Sequence, residues 1–210
     1  MLYATVVWIL PTLINGVGSV KNVLNPNKKI PATAIEDTTL APPVLVIPFE
    51  ATNSSTIAVS GYSTPGTKVE IYLDDELIKT EDVSTDGSFV VKEIELSFGT
   101  NNISGKTADQ GKASLSSKKF KVIYDNEKPK LEVSEPEDGK TIQGERKLKV
   151  SGKTEEGVKV YINDSQVIVD KDGNFSTEKQ LTDGENNFNL KAVDSASNYT
   201  EVSRRVNFTP

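Results

Sequence analysis

The chain of 210 residues contains no cysteine and no histidine. Without cysteine no disulfide stabilises the fold, so oxidising and reducing compartments suit it equally. Without histidine the Ser-His-Asp and Cys-His arrangements are excluded, together with the usual general base and the commonest zinc ligand. A carboxylate pair or a Ser-Lys dyad remains, but the spacing of these abundant residues singles out no catalytic group. We therefore expect no enzyme activity and no metal or other cofactor.

The chain also lacks an excess of basic charge, with 24 Lys and Arg against 30 Asp and Glu and a formal charge of −6. No stretch gathers basic and aromatic residues into the surface that nucleic-acid binding requires, so we expect no nucleic-acid partner. The densest basic positions lie in the predicted final strands, where we expect them to protect sheet edges from pairing. These positions are Lys118, Lys119, Lys121, Arg204 and Arg205.

There is one long apolar run, from Leu2 to Val20, which contains no charged residue. As a helix it would be about 28 Å long, close to the hydrocarbon thickness of a bilayer. Residues 1–21 are therefore predicted to be an apolar helix that acts as a membrane anchor or a signal. No Lys/Arg-rich region precedes it, so a cleaved signal and a leader packed in some other way stay open.

Residues 22–43 are predicted to be a linker. They include Pro26, Pro31, Pro42 and Pro43 among small and polar residues, and they show no periodicity that could be buried. A segment of this composition is semi-extended, so it would hold a domain away from the membrane.

The rest of the chain contains one domain twice. Ser60-Gly61 returns as Ser151-Gly152, and Asp86-Gly87-Ser88-Phe89 returns as Asp172-Gly173-Asn174-Phe175. The Gly-x-Asn-Asn sequence at 99–102 returns at 184–187. A period of roughly 85 to 90 residues is that of whole domains rather than of solenoid repeats. The sequence predicts a first domain at 44–126 and a second at 127–210.

Both copies show the period-two alternation of half-buried strands. In 68–73 the residues Val69, Ile71 and Leu73 face one way, and Val158, Val160 and Ile162 do so in the second copy. Turn sequences such as Asp-Gly recur at short intervals, and no helical stretch of adequate length interrupts them. About seven short strands in each copy indicate an all-β protein of two tandem β-sandwiches.

Each copy resembles a bacterial immunoglobulin-like domain, of the group found in tandem on surface proteins and as accessory domains of secreted glycan-acting enzymes such as glucodextranase. In the second copy the resemblance includes 129–133, 148–154 and 158–163, and it ends in Ala192-Val193-Asp194-Ser195-Ala196-Ser197-Asn198. Ser197 stands where the family usually has glycine. The resemblance implies two immunoglobulin-like sandwiches without catalytic activity, which serve adhesion, spacing or accessory glycan contact.

Two hypotheses concern ion binding. A calcium site is the alternative to the expected absence of metal, because Asp125 and Glu127 lie at the short hinge between the copies, where they would meet acidic loops of the second domain. The sequence Asp170-Lys171-Asp172-Gly173-Asn174 also offers oxygen ligands, but it continues without the glycine and glutamate of an EF-hand loop. We interpret that second segment as a hairpin turn.

Glycan binding would need exposed aromatic rings. Five phenylalanines occupy core positions of the alternation, so tyrosines are the better candidates. The candidate tyrosines are Tyr62, Tyr72, Tyr161 and Tyr199.

Four polar landmarks are expected to maintain the fold. Asn102 and Asn187 stand where a strand begins, and their amides are predicted to satisfy neighbouring backbone groups. Asp109 and Asp194 are predicted to accept local N–H bonds at the final hairpin.

The leading functional hypothesis is a non-catalytic, membrane-anchored protein of the bacterial cell envelope, with extracytoplasmic modules that act as an adhesion or spacer arm. Its expected partners are the membrane, through residues 1–21, and a surface protein or a glycan. The alternative is an accessory region, in contact with glycan or cell wall, of a larger secreted enzyme.

Overall fold

The computed structural model describes residues 35–210, and within them every regular element is a β-strand. The predicted helix at 1–21 and most of the predicted linker lie outside the described residues. Residues 35–210 include no helix long and apolar enough to cross a membrane. Residues 36–210 form one compact unit. Their buried apolar side chains separate into two clusters, one for each predicted domain, which confirms two tandem all-β modules.

The first module pairs its strands into two sheets. A three-stranded sheet has the order β2-β4-β7, and a larger sheet has the order β1-β9-β8-β10-β3 with β5 and β6 attached through β8. The strands are β1 (Ile35–Glu36), β2 (Val44–Val46), β3 (Ala51–Thr52), β4 (Thr56–Tyr62), β5 (Lys68–Leu73), β6 (Glu76–Asp82), β7 (Ser88–Glu95), β8 (Gly99–Asp109), β9 (Lys112–Ala113) and β10 (Phe120–Tyr124).

The second module repeats this plan. A three-stranded sheet has the order β11-β13-β16, and a five-stranded sheet has the order β12-β18-β17-β14-β15. The strands are β11 (Leu131–Glu135), β12 (Lys140–Gln143), β13 (Lys147–Thr154), β14 (Lys159–Ile162), β15 (Ser165–Val167), β16 (Asn174–Gln180), β17 (Gly184–Val193) and β18 (Tyr199–Thr209).

The alternation in the sequence places the core as predicted. Val69 and Ile71 are fully buried, and so are Val160 and Ile162 in the second module. The predicted Asp-Gly turns are confirmed by the positive φ angles of Gly87 (84°) and Gly173 (83°), which only glycine adopts without strain. Phe89 and Phe175, two residues further on, are each 3% exposed. The turn therefore sets the phase in which the next strand buries its first aromatic ring.

The final strands differ between the modules. β18 is one unbroken strand of eleven residues, and all but Thr209 pair with β17. Its counterpart in the first module is divided into β9 and β10 by residues 114–119. Ser114 and Ser117 bridge this interruption, since their N–H groups donate to the carbonyls of Thr107 and Gly105 (both 2.8 Å). Their hydroxyls accept from the N–H groups of the same two residues at 2.9 and 3.0 Å.

The predicted edge protection by Arg204 and Arg205 is wrong. β18 lies between β17 and β12, and the Arg205 N–H donates to Asp138 Oδ1 at 2.8 Å while its carbonyl accepts from the Gly139 N–H. Lys118 and Lys119 precede β10 instead of lying in a final strand. The physical reason is a short parallel strand on the outer side of each final strand, β3 beside β10 and β12 beside β18. Its backbone pairs with the edge that the sequence predicts to be exposed.

Candidate functional site

The incoming segment of the second module, residues 125–130, is held by side chains of that module. The Asn198 side chain donates through Nδ2 to the Asp125 carbonyl at 2.8 Å and to Asp194 Oδ2 at 2.9 Å. The Thr200 hydroxyl donates to the Pro129 carbonyl. Two carbonyls four residues apart are therefore fixed by the hairpin that joins β17 to β18.

The same segment also makes an internal hydrogen bond and further bonds to both modules. Asp125 Oδ1 accepts the Glu127 N–H at 2.9 Å, and the Asp125 N–H donates to Thr52 of the first module at 3.0 Å. Thr154 donates through its hydroxyl to the Lys130 carbonyl at 2.6 Å. Asp125 thus contacts both modules through its backbone, with its N–H on one and its carbonyl on the other.

The first module holds its own incoming segment, residues 36–43, in a corresponding way. Asp37 Oδ1 accepts the Thr39 N–H at 2.9 Å, as Asp125 accepts the Glu127 N–H. The Asp37 N–H donates to the Ala113 carbonyl at 2.8 Å, and the buried Thr107 donates through its hydroxyl to the Ala41 carbonyl at 2.7 Å. Residues assigned to the linker by composition therefore pack as part of this module.

Ion pairs hold this first segment, whereas the neutral amide of Asn198 holds the segment that leads into the second module. Lys112 Nζ lies 2.9 Å from Asp37 Oδ2, and Lys106 Nζ lies 3.4 Å from Glu36 Oε1. Hydrogen bonds from Thr39 and then from Lys112 lower the pKa of Asp37 below its ordinary value, and the Asp37 carboxylate raises the pKa of Lys112. The two incoming segments share a backbone course but differ in the charge that holds them.

Sequence reasoning missed this arrangement, although a signal for it exists. Asp37 and Asp125 are separated by 88 positions, which matches the period of the repeat. The repeated motifs begin only at Ser60-Gly61 and Ser151-Gly152, and neither incoming segment carries a motif that marks it as part of a module.

The hinge hypothesis of a calcium site stays a prediction. Asp125 and Glu127 line a surface depression with Glu155, Glu156 and Asp194, and Lys128 and Lys130 line the same depression. Within residues 35–210 no three Asp or Glu side chains converge as a metal-ligand set.

The hairpin interpretation of 170–174 agrees with the hydrogen bonds. Asp170 Oδ1 accepts the N–H groups of Asp172 (3.0 Å) and Asn174 (2.8 Å). The bond from Asn174 is the main cause that lowers the pKa of Asp170. Asp194 makes the predicted turn as well, since its Oδ1 accepts the Asn198 N–H at 2.8 Å.

The asparagines that satisfy the backbone are one position earlier than predicted. Asn101 is fully buried, with Oδ1 accepting the Ser97 N–H (2.9 Å) and Nδ2 donating to the Ser97 carbonyl (2.8 Å). Asn186 does the same with Thr182, at 2.8 Å for both bonds. Asn102 and Asn187 point outward and bind Asp74 and Glu185. The inward phase of β8 and β17 begins at the first asparagine, so the second cannot reach the preceding loop.

The four candidate tyrosines do not form one aromatic platform. Tyr62 (60% exposed) lies on β4 and Tyr72 on β5, in different sheets of the first module. Tyr72 is half-buried, and burial followed by a hydrogen bond to Glu70 raises its pKa. In the second module Tyr161 is half-buried and Tyr199 is 49% exposed. Lys191 Nζ lies 4.2 Å from the centre of the Tyr199 ring, so an ammonium group covers one of its faces.

Comparison with known proteins agrees with this fold. Residues 129–209 match the family model described as glucodextranase, domain B, which confirms the resemblance of the second module to immunoglobulin-like accessory domains. The fibronectin(III)-like modules of Clostridium thermocellum CbhA superpose with a TM-score of 0.58 at 18% sequence identity, covering 80% of this chain and 94% of that chain. The described region is therefore a pair of tandem modules that resemble non-catalytic accessory domains.

Bacillopeptidase F of Bacillus subtilis (strain 168) is 28% identical to this chain over 170 residues. The alignment covers 80% of this chain and 12% of bacillopeptidase F. The chain thus corresponds to a small part of that relative's length.

Proposed function

We propose that the two modules form a non-catalytic spacer or adhesion arm of a cell-envelope protein, attached to the membrane through residues 1–21. The observation that supports the arm is that each module holds the backbone that leads into it, by hydrogen bonds to Asp125 and Pro129 in one case and to Asp37 and Ala41 in the other. A chain fixed at both ends of a short connection has few free torsions. The connection then restricts the movement of one module relative to the other.

The arm is tested by the distance between the modules. Because the chain has no cysteine, Thr80→Cys with Ser165→Cys supplies two dye sites on exposed strands of different modules. We expect single-molecule energy transfer to show one narrow distribution, and Asn198→Ala to broaden it. Asn189→Ala, an exposed amide of β17, is the matched control. An equally narrow distribution for Asn198→Ala would remove the support for a fixed connection.

Membrane attachment is tested separately. We expect the full chain to sediment with membranes and to need detergent for release, whereas a chain that starts at Glu36 should remain in the supernatant. Equal recovery of both chains without detergent would contradict attachment through residues 1–21 and would leave the arm untouched.

The second candidate is an accessory region of a larger secreted enzyme that acts on glycans or on the cell wall. It is favoured by the match of residues 129–209 to glucodextranase domain B and by the small share of bacillopeptidase F that this chain covers. An antibody raised against the second module separates the candidates. A band in the culture medium far larger than 210 residues supports the accessory region, and a band of the size of this chain in the membrane fraction supports the arm.

A further inference from the structure

The outer side of the three-stranded sheet in the first module carries Lys92 and Glu95 toward one end of β7. The rest of this side includes an uncharged, largely apolar patch. We call it the apolar face; it consists of Val44, Val46, Ser60, Tyr62, Ser88 and Val90. Four of these side chains are well exposed: Val44 63%, Val46 45%, Tyr62 60% and Val90 49%. Strand register places them side by side, with Tyr62 between Val44 and Ser88 and with Ser60 between Val46 and Val90. They form one patch across three strands.

The second module shows that the fold does not require this patch. Gly61 and Gly152 occupy the same position, since each lies under the ring of the paired phenylalanine, Phe89 or Phe175. With these glycines aligned, the register pairs each position of the patch with its counterpart. The counterparts of Val44, Val46, Tyr62 and Val90 are Glu132, Glu135, Lys153 and Ser176.

The two modules therefore differ in surface chemistry at matched backbone positions. The second module has charged or polar side chains there, including an ion pair between Lys149 and Glu135 at 3.4 Å. The first module has three valines and a tyrosine. A large exposed apolar patch on a soluble domain marks an interaction site, because it gains free energy only when a partner removes it from water.

We propose that the apolar face packs against the apolar face of a second copy of this chain. An isologous contact places a patch against itself, so an uncharged patch meets no like charge. The same contact through the face of the second module would remove the charges of Glu132 and Lys153 from water, which costs free energy. Two serine hydroxyls, Ser60 and Ser88, are the polar groups of the patch, which suits an apolar surface better than a polyhydroxylated ligand.

The size of the patch predicts a weak dimer. Four side chains of this kind at half exposure present on the order of 400 Å² per copy, so about 800 Å² would be buried in total, well below the area of a standard stable interface. Association of this kind depends on concentration. Chains crowded on one surface, or on two facing surfaces, would reach the local concentration that such a dimer needs.

Disulfide trapping tests the contact in the full chain, which has no cysteine of its own. Ser60 lies on the central strand of the patch, and Ser151 is its counterpart in the second module, with the same residue type and the same half-buried class. We expect Ser60→Cys to give a covalent dimer under mild oxidation in at least about tenfold higher yield than Ser151→Cys, a ratio that corresponds to about 1.4 kcal/mol. Both variants carry residues 1–34, so contact through that region contributes equally to both.

A second experiment exchanges residues of the apolar face for those that the second module has at the matched positions. Val44→Glu with Tyr62→Lys installs the Glu132 and Lys153 pair of the second module, and it should reduce the yield of Ser60→Cys dimer to that of Ser151→Cys. Val90→Ser, the milder exchange toward Ser176, should reduce it several-fold and keeps the test valid if the charged variant fails to fold.

Equal yields for Ser60→Cys and Ser151→Cys overturn the proposal, and so does a Ser60→Cys yield that neither exchange lowers. If Ser60→Cys stays monomeric while Val44→Glu with Tyr62→Lys loses retention on a cell-wall polysaccharide column, the patch serves a glycan and the second copy is excluded. A selective yield that both exchanges lower, the charged one to the level of Ser151→Cys and Val90→Ser several-fold, supports the dimer.

Discussion

At the scale of single residues, one buried amide closes the loop before each long strand. Asn101 and Asn186 each accept one backbone N–H and donate to two carbonyls of the loop, so a short loop finds its hydrogen-bond partners in a side chain; Asn101 also donates to the Val122 carbonyl. A buried polar group without a partner is expensive, and this amide removes that cost for several groups at once.

We expect Asn186→Ala to destabilise the second module by about 2 to 3 kcal/mol, because the Thr182 N–H and the carbonyls of Thr182 and Gly184 all lose the buried amide that satisfies them. Asn187→Ala, one residue later and exposed, should change stability by less than about 0.5 kcal/mol. Urea unfolding followed through NMR signals of the second module measures both. Similar losses for the two variants would contradict the assignment of the inward asparagine.

Ser197 is the second residue with a specific conformational role. Its φ angle is 72°, in the left-handed region that costs a residue with a side chain about 1 kcal/mol. Ser197 therefore adopts the backbone conformation that glycine, the residue that the resemblance places here, reaches without strain.

We expect Ser197→Gly to raise the stability of the second module by about 0.5 to 1 kcal/mol, because glycine adopts this φ without strain. Ser195→Gly, in the same turn but without a positive φ, should lower stability by a few tenths of a kcal/mol through the entropy of the unfolded chain. Thermal unfolding of the two variants gives the comparison. A loss for Ser197→Gly would mean that the turn is not strained.

At the scale of strands, much of the fold follows from the sequence. The alternation around Val69 and Val160 and the Asp-Gly turns give the strands and their inward faces, because each depends on neighbours along the chain. The division between β9 and β10 does not follow from the sequence, since it depends on Ser114 and Ser117 meeting Thr107 and Gly105 of another strand. The Asn-Asn sequences show the same limit, because the pair alone does not tell which asparagine faces inward.

Close strand packing explains why Ser-Gly is repeated at the same place in both modules. A Cβ on Gly152 would overlap the Glu132 carbonyl and come within 2.9 Å of Phe175 Cε1. We expect Gly152→Ala to cost about 3 kcal/mol, at the upper end of the range for overpacking, because β11 and the Phe175 ring must both move. Ser151→Ala, the adjacent outward position, should cost less than about 0.5 kcal/mol. Equal unfolding midpoints for the two variants would contradict this packing argument.

At the scale of the whole described region, the hydrogen bonds that hold the incoming segments were the feature least accessible to sequence reasoning. They join residues 66 to 73 positions apart, Thr107 with Ala41 and Asn198 with Asp125, and none of the four belongs to a hydrophobic pattern. The two segments also differ in chemistry, because Asp37 is paired with Lys112 whereas Asn198 is a neutral donor. That difference predicts a different response to acid.

The pKa of Asp37 is lowered in the folded chain by hydrogen bonds from Thr39 and Lys112. A carboxyl whose folded pKa is lowered stabilises the fold fully above the value of 3.8 that it has when unfolded, and loses this contribution as the pH falls below that value toward the folded pKa. We therefore expect the segment 36–41 to stay attached from pH 7 to about pH 4 and to detach at lower pH, before the core of the first module unfolds. The NMR amide signals of Asp37 and Thr39, followed through the titration, report attachment.

Asp37→Asn should weaken attachment at neutral pH and reduce its dependence on acid, whereas Asp86→Asn, which removes a carboxylate with a lowered pKa elsewhere in the module, should leave that dependence intact. Detachment of the wild-type segment between pH 5 and 6 would show that another group controls it.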